Sequence, residues 1–261
     1  MQHSKTGIRK RFSFWLTAGL LLAAVLVNRC FADDEPPYPE FIAYYDANAN
    51  GFDIGTVTIS LKHEGDDLYL YQQESTSSGI ASLFSSDESV ESSRWRLQDG
   101  KIQVLDYQSK REGGDDDDNA HLVFDWKHAK VKNIGAGKHW EIELPEGAVD
   151  RLVMQLAMLF ELRDGATHFE YMVPRQGRIK DYRFALLGED EIELTSGVYR
   201  TLKVGRTNDD KDQSWVWSAP ELDYFPVRFL KKKKSGIKIE LVLRKLDFAP
   251  FGEATSLEVA P

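Results

Sequence analysis

The chain has 261 residues, of which 42% are hydrophobic, and its 33 basic and 42 acidic side chains give a formal net charge of −9. Residues 1–32 contain five of the basic side chains and none of the acidic ones, so the 229 residues that follow carry a charge of −14. Such a charge repels polyphosphate and argues against nucleic acid as a partner. A chain of this length buries a hydrophobic core without needing disulfides.

The N-terminus has the three parts of a cleavable secretory signal peptide. Four basic residues lie within residues 5–11, and an apolar run follows at residues 16–27. This run is shorter than the roughly 20 apolar residues that a transmembrane helix needs. Ala32 then precedes an acidic, proline-rich segment at 33–40. We therefore predict cleavage after Ala32, a periplasmic location and no transmembrane span in the cleaved chain.

The one cysteine of the chain, Cys30, lies inside this predicted signal peptide. A lipoprotein site carries Gly or Ala before the modified cysteine, whereas this chain has Arg29. We therefore expect a mature chain without a thiol, which is compatible with an oxidising compartment.

From Phe41 onward, hydrophobic and polar residues alternate, a pattern typical of strands with one buried face. The clearest segments are 57–61, 122–126, 140–144, 169–173, 182–186 and 237–243. Turn signals separate such segments at Asn50-Gly51, 65–67, Asp99-Gly100, Ser196-Gly197 and Ser235-Gly236. We therefore predict a long antiparallel meander in a single domain spanning residues 41–250, followed by a tail at 251–261.

One segment has helical spacing instead. Between Val149 and Leu162, apolar residues occupy most of the circumference of a helix. A helix that is apolar on nearly every side must be enclosed, and a curved sheet is the enclosure we predict. The predicted fold is mainly β, with a strongly curved antiparallel sheet or partly open β-barrel enclosing one apolar α-helix. A second, shorter helical turn is predicted at residues 80–84.

The stretch from Trp215 to Arg228 reads Trp-Val-Trp-Ser-Ala-Pro-Glu-Leu-Asp-Tyr-Phe-Pro-Val-Arg. It resembles the pattern of an uncharacterised family of exported proteobacterial proteins, a DUF3108-like domain of unknown function. Residues 50–55 and 79–84 agree with that pattern, as do Asp150 and Gln155 of the helix. The resemblance covers roughly residues 41–247. It implies a periplasmic setting and a curved antiparallel sheet similar in style to lipoprotein-carrier proteins, and it implies no established activity.

Motifs for metals and catalysis are weak in this sequence. Residues 46–51 match the first half of a calcium loop, but Val57 stands where the bidentate carboxylate belongs, so a hairpin at Asn50-Gly51 is favoured. The five histidines after residue 32 lack zinc-ligand spacing. There is no nucleophile elbow and no phosphate-binding glycine loop. We therefore predict no metal and no cofactor, and we name no catalytic residue.

Two runs of like charge stand out. The four aspartates 115–118 are predicted to form a solvated loop tip. Lys231–Lys234 precede Ser235-Gly236 and form a basic tip. This tip has two interpretations: contact with anionic lipid head groups, or a charged hairpin end that prevents edge-to-edge aggregation, which we favour at this point.

An apolar cavity is predicted between the helix and the tryptophan-containing strand. Its candidate ligand-binding residues are Leu152, Met154, Leu156, Met158, Trp215, Trp217, Tyr224 and Arg228. Methionine adapts its shape at low cost, so such a helix can shift to admit an acyl chain. We expect Arg228 to pair with Asp223 or Glu221 and so to hold the loop between them.

Three classes of function remain open from the sequence. The favoured one is a non-catalytic periplasmic envelope protein that binds or carries an apolar or lipid-like ligand, such as a lipid or a lipoprotein tail. The second is a hydrolase or isomerase acting on an envelope polymer, with an acid or a histidine on a strand as general base. Its best candidates are His121 and His139, both predicted on strands. The third is a structural or assembly factor whose interior is filled by its own helix. An open apolar cleft would favour the first class, and a tightly filled interior the third.

Overall fold

The computed structural model describes residues 38–65, 67–78, 88–112, 119–135, 138–209 and 212–249. The predicted signal peptide, the tail 251–261, the predicted turn at 80–84 and the aspartates 115–118 lie outside these ranges. The boundaries of the predicted domain therefore stay a prediction. No helix among the described residues is long and apolar enough to cross a bilayer.

Fourteen strands and one α-helix form the described part of the chain. The strands are β1 (Glu40–Ala49), β2 (Phe52–Gly65), β3 (Leu68–Ser77), β4 (Glu88–Gln98), β5 (Lys101–Arg111), β6 (Ala120–Asp125), β7 (Lys130–Asn133), β8 (Trp140–Glu143), β9 (His168–Arg175), β10 (Arg178–Leu194), β11 (Gly197–Arg206), β12 (Gln213–Ala219), β13 (Phe225–Lys232) and β14 (Lys238–Ala249). Helix α1 (Val153–Arg163) lies between β8 and β9, and a 3-10 turn (Pro220–Leu222) follows β12. Asn50 and Gly51 adopt φ values of 51° and 85°, as the predicted hairpin requires.

All fourteen strands belong to one antiparallel sheet, in the order β8-β7-β6-β5-β4-β3-β2-β1-β14-β13-β12-β11-β10-β9. Each strand pairs with its neighbour in sequence, except that β1 also pairs with β14 and no pairing joins β8 to β9 among the described residues. The predicted single meander is therefore wrong in one respect. It is two meanders, broken at α1 and joined through the first and last strands.

The two ends of this sheet meet in space. In a flat sheet, the thirteen steps from β8 to β9 would span ~62 Å at about 4.8 Å per strand. A Cβ placed on Gly177, in the turn after β9, would nevertheless lie 3.6 Å from Cγ of Trp140 at the start of β8. The sheet therefore curls into a barrel-like form that is not closed by strand pairing, which confirms the predicted curvature.

Helix α1 lies inside this curl. Its buried side chains are Val153, Leu156, Ala157, Met158, Leu159 and Leu162. The helix packs against β9, and the ring centroid of Phe160 lies 6.3 Å from that of Trp95 on β4. The nine steps between β4 and β9 in the sheet would span ~43 Å if the sheet were flat. One helix contacts both strands because the sheet wraps around it, so the predicted enclosure is confirmed.

Aromatic side chains link the end of the helix to the middle of the sheet. Phe41 of β1 and Phe225 of β13 meet edge to face, with 4.9 Å between ring centroids. Tyr38 stacks on Phe160 of α1 at 6.1 Å and on Phe225 at 6.4 Å. The hydroxyl of Tyr38 donates to the backbone carbonyl of Asp223 at 3.1 Å. These contacts hold the C-terminal half of α1 against the centre of the sheet.

Candidate functional site

A cavity of about 580 Å³ lies where the two ends of the sheet meet, and we call it the seam cavity. Its walls include Tyr107, Leu122 and Trp140 from the β5–β8 side, and Val173, Arg175 and Arg178 from the β9–β10 side. Ligand sites typically have volumes of roughly 300–1,000 Å³ and mix apolar walls with a few polar groups. The seam cavity therefore has the size of a small-molecule site, and more of its lining residues are polar than apolar.

The lining of the seam cavity is strongly basic. Its charged side chains are Lys138, Asp150, Arg151, Arg175 and Arg178, and His139 also lines it. Arg175 and Arg178 are exposed and stand directly opposite each other on β9 and β10. Neither forms an ion pair with an acidic side chain of the described residues. Like charges placed opposite each other destabilise a strand pair, so this arrangement favours a bound anion.

The carboxylate of Asp150 sits at the inner wall of the cavity, at the start of the helix. Its side chain is 1% exposed, and its Oδ1 accepts the N–H groups of Leu152 at 2.7 Å and Val153 at 2.9 Å. The hydroxyl of Ser93 on β4 donates to Oδ2 at 2.5 Å. Asp150 therefore caps the first turn of the helix, because those amides have no acceptor within the helix itself.

Burial raises the pKa of Asp150 to about 6, and the hydrogen bonds from Ser93, Val153 and Leu152 oppose that rise. The carboxylate is therefore charged at neutral pH, deep in a protein wall. A buried, perturbed carboxylate beside a cavity is a common feature of functional sites.

A second polar cluster holds Arg151 in place at the cavity. Nε of Arg151 donates to Oε2 of Glu91 at 2.7 Å, and the terminal nitrogen Nη2 of Arg151 donates to Oε1 of Glu91. The hydroxyl of Tyr107 donates to Oε2 of Glu91 at 2.8 Å. Burial, with a further contribution from the nearby Glu91 charge, raises the pKa of Tyr107, so the phenol stays protonated as a donor. A two-pronged arginine–carboxylate pair of this kind fixes the orientation of the guanidinium.

The helix residues of the predicted site lie in the core. Leu152, Leu156 and Met158 are buried, and Met154 is partly buried and packs against the core. None of the four is among the residues that line the seam cavity. Their role in binding stays a prediction, while their part in packing the helix against the sheet is evident.

The tryptophans of the predicted site lie on β12. Trp217 donates its indole N–H to Oδ2 of Asp190 at 2.7 Å, and its ring lies under the cations of Lys203 at 5.0 Å and Arg228 at 4.7 Å. Trp215, two residues earlier on β12, therefore shares the face of Trp217. Trp217 belongs to the same buried core as Leu152, Leu156 and Met158, and Trp215 packs against that core. Neither tryptophan is among the residues that line the seam cavity.

The predicted partner of Arg228 is wrong. Nε and a terminal nitrogen of Arg228 each lie 2.5 Å from Oε1 of Glu240 on β14. Asp223 pairs instead with Arg163 of the helix at 3.4 Å. Glu240 is the nearer acid because β14 runs beside β13, with Arg228 opposite Val242. Tyr224 is half-buried in the turn before β13, with φ of 62°, and is likewise outside the cavity lining.

The two candidate histidines have different surroundings. His139 lies in the connection just before β8, not on a strand as predicted, and lines the seam cavity. His121 is on β6, with Nε2 2.5 Å from Oδ2 of Asp106. In the part of the chain that the structure describes, no three His, Cys, Asp or Glu side chains are grouped to hold a metal ion.

Sequence reasoning missed the seam cavity because its walls come from opposite ends of the sheet. Asp150 did carry a signal: it lies near the start of the predicted helix, where a carboxylate can accept backbone amides that have no partner in the helix, and it belongs to the family-like pattern. Glu91 gave no such signal. Polar residues occupy both faces of the first half of β4, so nothing in the sequence distinguished this glutamate from its neighbours.

Comparison with solved structures supports the architecture. A crystal structure of a β-barrel-like protein of a domain of unknown function, DUF1849, from Brucella abortus matches with a TM-score of 0.53 and 8% identity. The match covers 80% of this chain and 98% of that one, and at this identity it concerns the fold alone. A protein from Parabacteroides distasonis, provisionally described as a lipoprotein, matches with a TM-score of 0.30 and 9% identity over 81% of this chain and 96% of that one. That score is too low to carry an argument.

Comparison with protein families gives a clear result, whereas no curated protein matches this chain significantly. The model described as "Protein of unknown function (DUF3108)" matches residues 41–242. This range runs from β1 to the first part of β14 and includes the helix and every described wall of the seam cavity. The chain therefore belongs to the DUF3108 family.

Proposed function

We propose that this protein is a non-catalytic binding protein of the bacterial periplasm, and that its seam cavity holds an anionic amphiphile. The ligand class is an apolar body, such as an acyl chain, that ends in a carboxylate or a phosphate. The observation that carries the proposal is the basic lining of this cavity in a chain whose net charge after residue 32 is −14. The predicted signal peptide at 1–32 supports the location.

The apolar part of such a ligand has surfaces to contact. Leu122 and Val173 are buried, and Trp140 is half-buried at the point where the two ends of the sheet meet. These three side chains line the same cavity. Burying an acyl chain against them would gain about 25 cal/mol for each Å² of apolar surface removed from water.

Two arginines are placed to bind the carboxylate or phosphate of such a ligand. A guanidinium presents a planar fork that matches a carboxylate or a phosphate with two parallel hydrogen bonds. Arg175 and Arg178 face each other across the β9–β10 hairpin, while Arg151 is already held by Glu91. The pair at 175 and 178 is therefore the proposed head-group site.

A fluorescent fatty-acid probe tests this directly. Residues 33–261 are purified, delipidated and titrated with the probe, and then with a fluorescent phosphatidic acid to separate carboxylate from phosphate preference. Arg175→Glu with Arg178→Glu should weaken probe binding at least about tenfold, because charge-assisted hydrogen bonds contribute about 1.5–3 kcal/mol each and 1.4 kcal/mol is a factor of ten. Lys101→Glu with Lys127→Glu changes the charge equally at exposed positions outside the cavity and should leave binding unchanged.

Two results would contradict the proposal. One is a delipidated wild-type protein that binds neither probe. The other is a double arginine variant that folds, as judged by circular dichroism, and binds both probes as tightly as the wild type.

The enzyme alternative has less support in the contacts of the described residues. The carboxylate of Asp150 already accepts hydrogen bonds from two backbone amides at the start of the helix and from the hydroxyl of Ser93, and His121 lies at hydrogen-bonding distance from Asp106. His139 is the candidate that faces the cavity, and no described contact orients it as a general base. The open seam cavity also favours binding over the purely structural role, for which we predicted a tightly filled interior.

A further inference from the structure

We infer that one end of the sheet is a contact surface for a membrane rich in anionic lipids. The surface is formed by the turn between β13 and β14 together with the neighbouring turn between β1 and β2, and we call it the lysine end. This inference concerns a different part of the molecule from the seam cavity, and it does not depend on the proposed ligand.

The first argument is charge. Residues 231–238 are all exposed and include five lysines, at positions 231, 232, 233, 234 and 238. Lys231 pairs with Asp212 at 3.2 Å. The other four form no ion pair with an acidic side chain of the described residues. A cluster of unpaired lysines on a chain of net negative charge is attracted to anionic head groups and has no comparable attraction to a neutral bilayer.

The second argument is the apolar surface among these lysines. Ile237 is 41% exposed, and Phe52, at the start of β2, is 66% exposed. Backbone pairing brings them to one place: the N–H of Asn50 donates to the carbonyl of Lys238 at 2.9 Å, and the N–H of Lys238 donates to Oδ1 of Asn50 at 2.9 Å. Large apolar side chains flanked by lysines are the pattern by which proteins insert into the head-group region.

The third argument removes the other interpretation of the basic tip. Charged residues protect a sheet from aggregation where a strand has an unpaired edge. Both β13 and β14 have a partner on each side, and the ends of the sheet order are β8 and β9. The lysines therefore lie where the strands of a paired hairpin end, and among the described strands neither β13 nor β14 is an open edge that they could protect.

The direction of the strands places the seam cavity at the same end of the sheet. Successive neighbours are antiparallel from β14 to β9 and from β1 to β8, so the β9–β10 turn and the start of β8 lie at the end that carries the β13–β14 turn. A bilayer contacting the lysine end would thus face the turn next to Arg175 and Arg178. This consequence, unlike the contact itself, rests on the proposed function.

Vesicle co-sedimentation tests the inference. The protein, as residues 33–261, is mixed at low salt with vesicles of pure phosphatidylcholine or of phosphatidylcholine with 30% phosphatidylglycerol. We expect binding to the mixed vesicles, little binding to the neutral ones, and loss of binding as salt is raised. Lys232→Glu with Lys233→Glu and Lys234→Glu should weaken binding at least about tenfold, and Phe52→Ser with Ile237→Ser should weaken it by a smaller factor.

The matched control is Lys62→Glu with Lys101→Glu and Lys127→Glu. This control has the same net charge as the first triple variant. Its three exposed lysines lie toward the opposite end of the sheet, so it should bind vesicles as the wild type does. Equal binding by the two triple variants, or a wild type that sediments equally with neutral and anionic vesicles or with neither, would overturn the inference. Fatty-acid probe binding without vesicles is expected to be the same in both triple variants, so a failure here is separate from a failure of the proposed function.

Discussion

Leu156→Ala is expected to lower the free energy of unfolding by about 3 kcal/mol, within the 2–5 kcal/mol range of such truncations. Leu156 is 1% exposed, in the middle of the helix that the sheet surrounds. An enclosed site collapses poorly around the lost methyl groups, so the cavity they leave adds to the lost burial. Urea unfolding followed by tryptophan fluorescence measures the change.

The neighbouring Gln155→Ala is the control for helix propensity. Gln155 is only partly buried and its side chain is polar, so we expect a change below about 1 kcal/mol. Similar small losses in both variants would mean that the helix is not enclosed as described.

Asp150→Asn is expected to change the pH dependence of stability by about 3 kcal/mol. The pKa of Asp150 is raised from 3.8 to about 6 in the folded protein, so between these values the folded state binds a proton that the unfolded state has released. The contribution of Asp150 to stability is therefore fully present below about pH 4 and is lost as the pH rises through about 6. Two pKa units correspond to about 3 kcal/mol.

Asparagine does not titrate, and its side-chain oxygen can still accept the amides of Leu152 and Val153. The free energy of unfolding of the variant, minus that of the wild type, should therefore rise between pH 4 and pH 7. Asp164→Asn alters an exposed carboxylate at the other end of the helix and should follow the wild-type profile. If the Asp150→Asn and wild-type profiles ran parallel, burial of the carboxylate would not be the cause of the shift.

The sequence predicted the local features of the fold well because these depend on neighbours in the chain. Alternation from Val57 to Leu61 marks β2, and Asn50-Gly51 marks its turn, since both patterns follow from backbone geometry over a few residues. The apolar helix was also predicted, together with its burial by a curved sheet. Its start was placed at Val149 instead of Val153, because Val149 and Leu152 fall at the same helical spacing as the apolar residues that follow.

Features that depend on pairing between residues far apart in the chain could not be predicted from the sequence. The pairing of β1 with β14 joins residues more than two hundred positions apart, such as Glu40 and Ala249, and no local pattern encodes it. The seam cavity has the same origin, because Trp140 and Gly177 meet only after the sheet has curled. The ion pair of Arg228 with Glu240 likewise follows from strand order, whereas the sequence offered only the nearer acids Glu221 and Asp223.

The central claim is that the two ends of the sheet meet around the helix, and one distance measurement tests it. The chain after residue 32 contains no cysteine, so spin labels placed through Glu141→Cys on β8 and Arg175→Cys on β9 report a single pair. Both positions are exposed, and each lies within two residues of the contact between Trp140 and Gly177. Pulsed electron–electron double resonance should give a distance between the two spin labels below about 30 Å. A distribution centred near ~60 Å, the width of the sheet laid flat, would contradict the account.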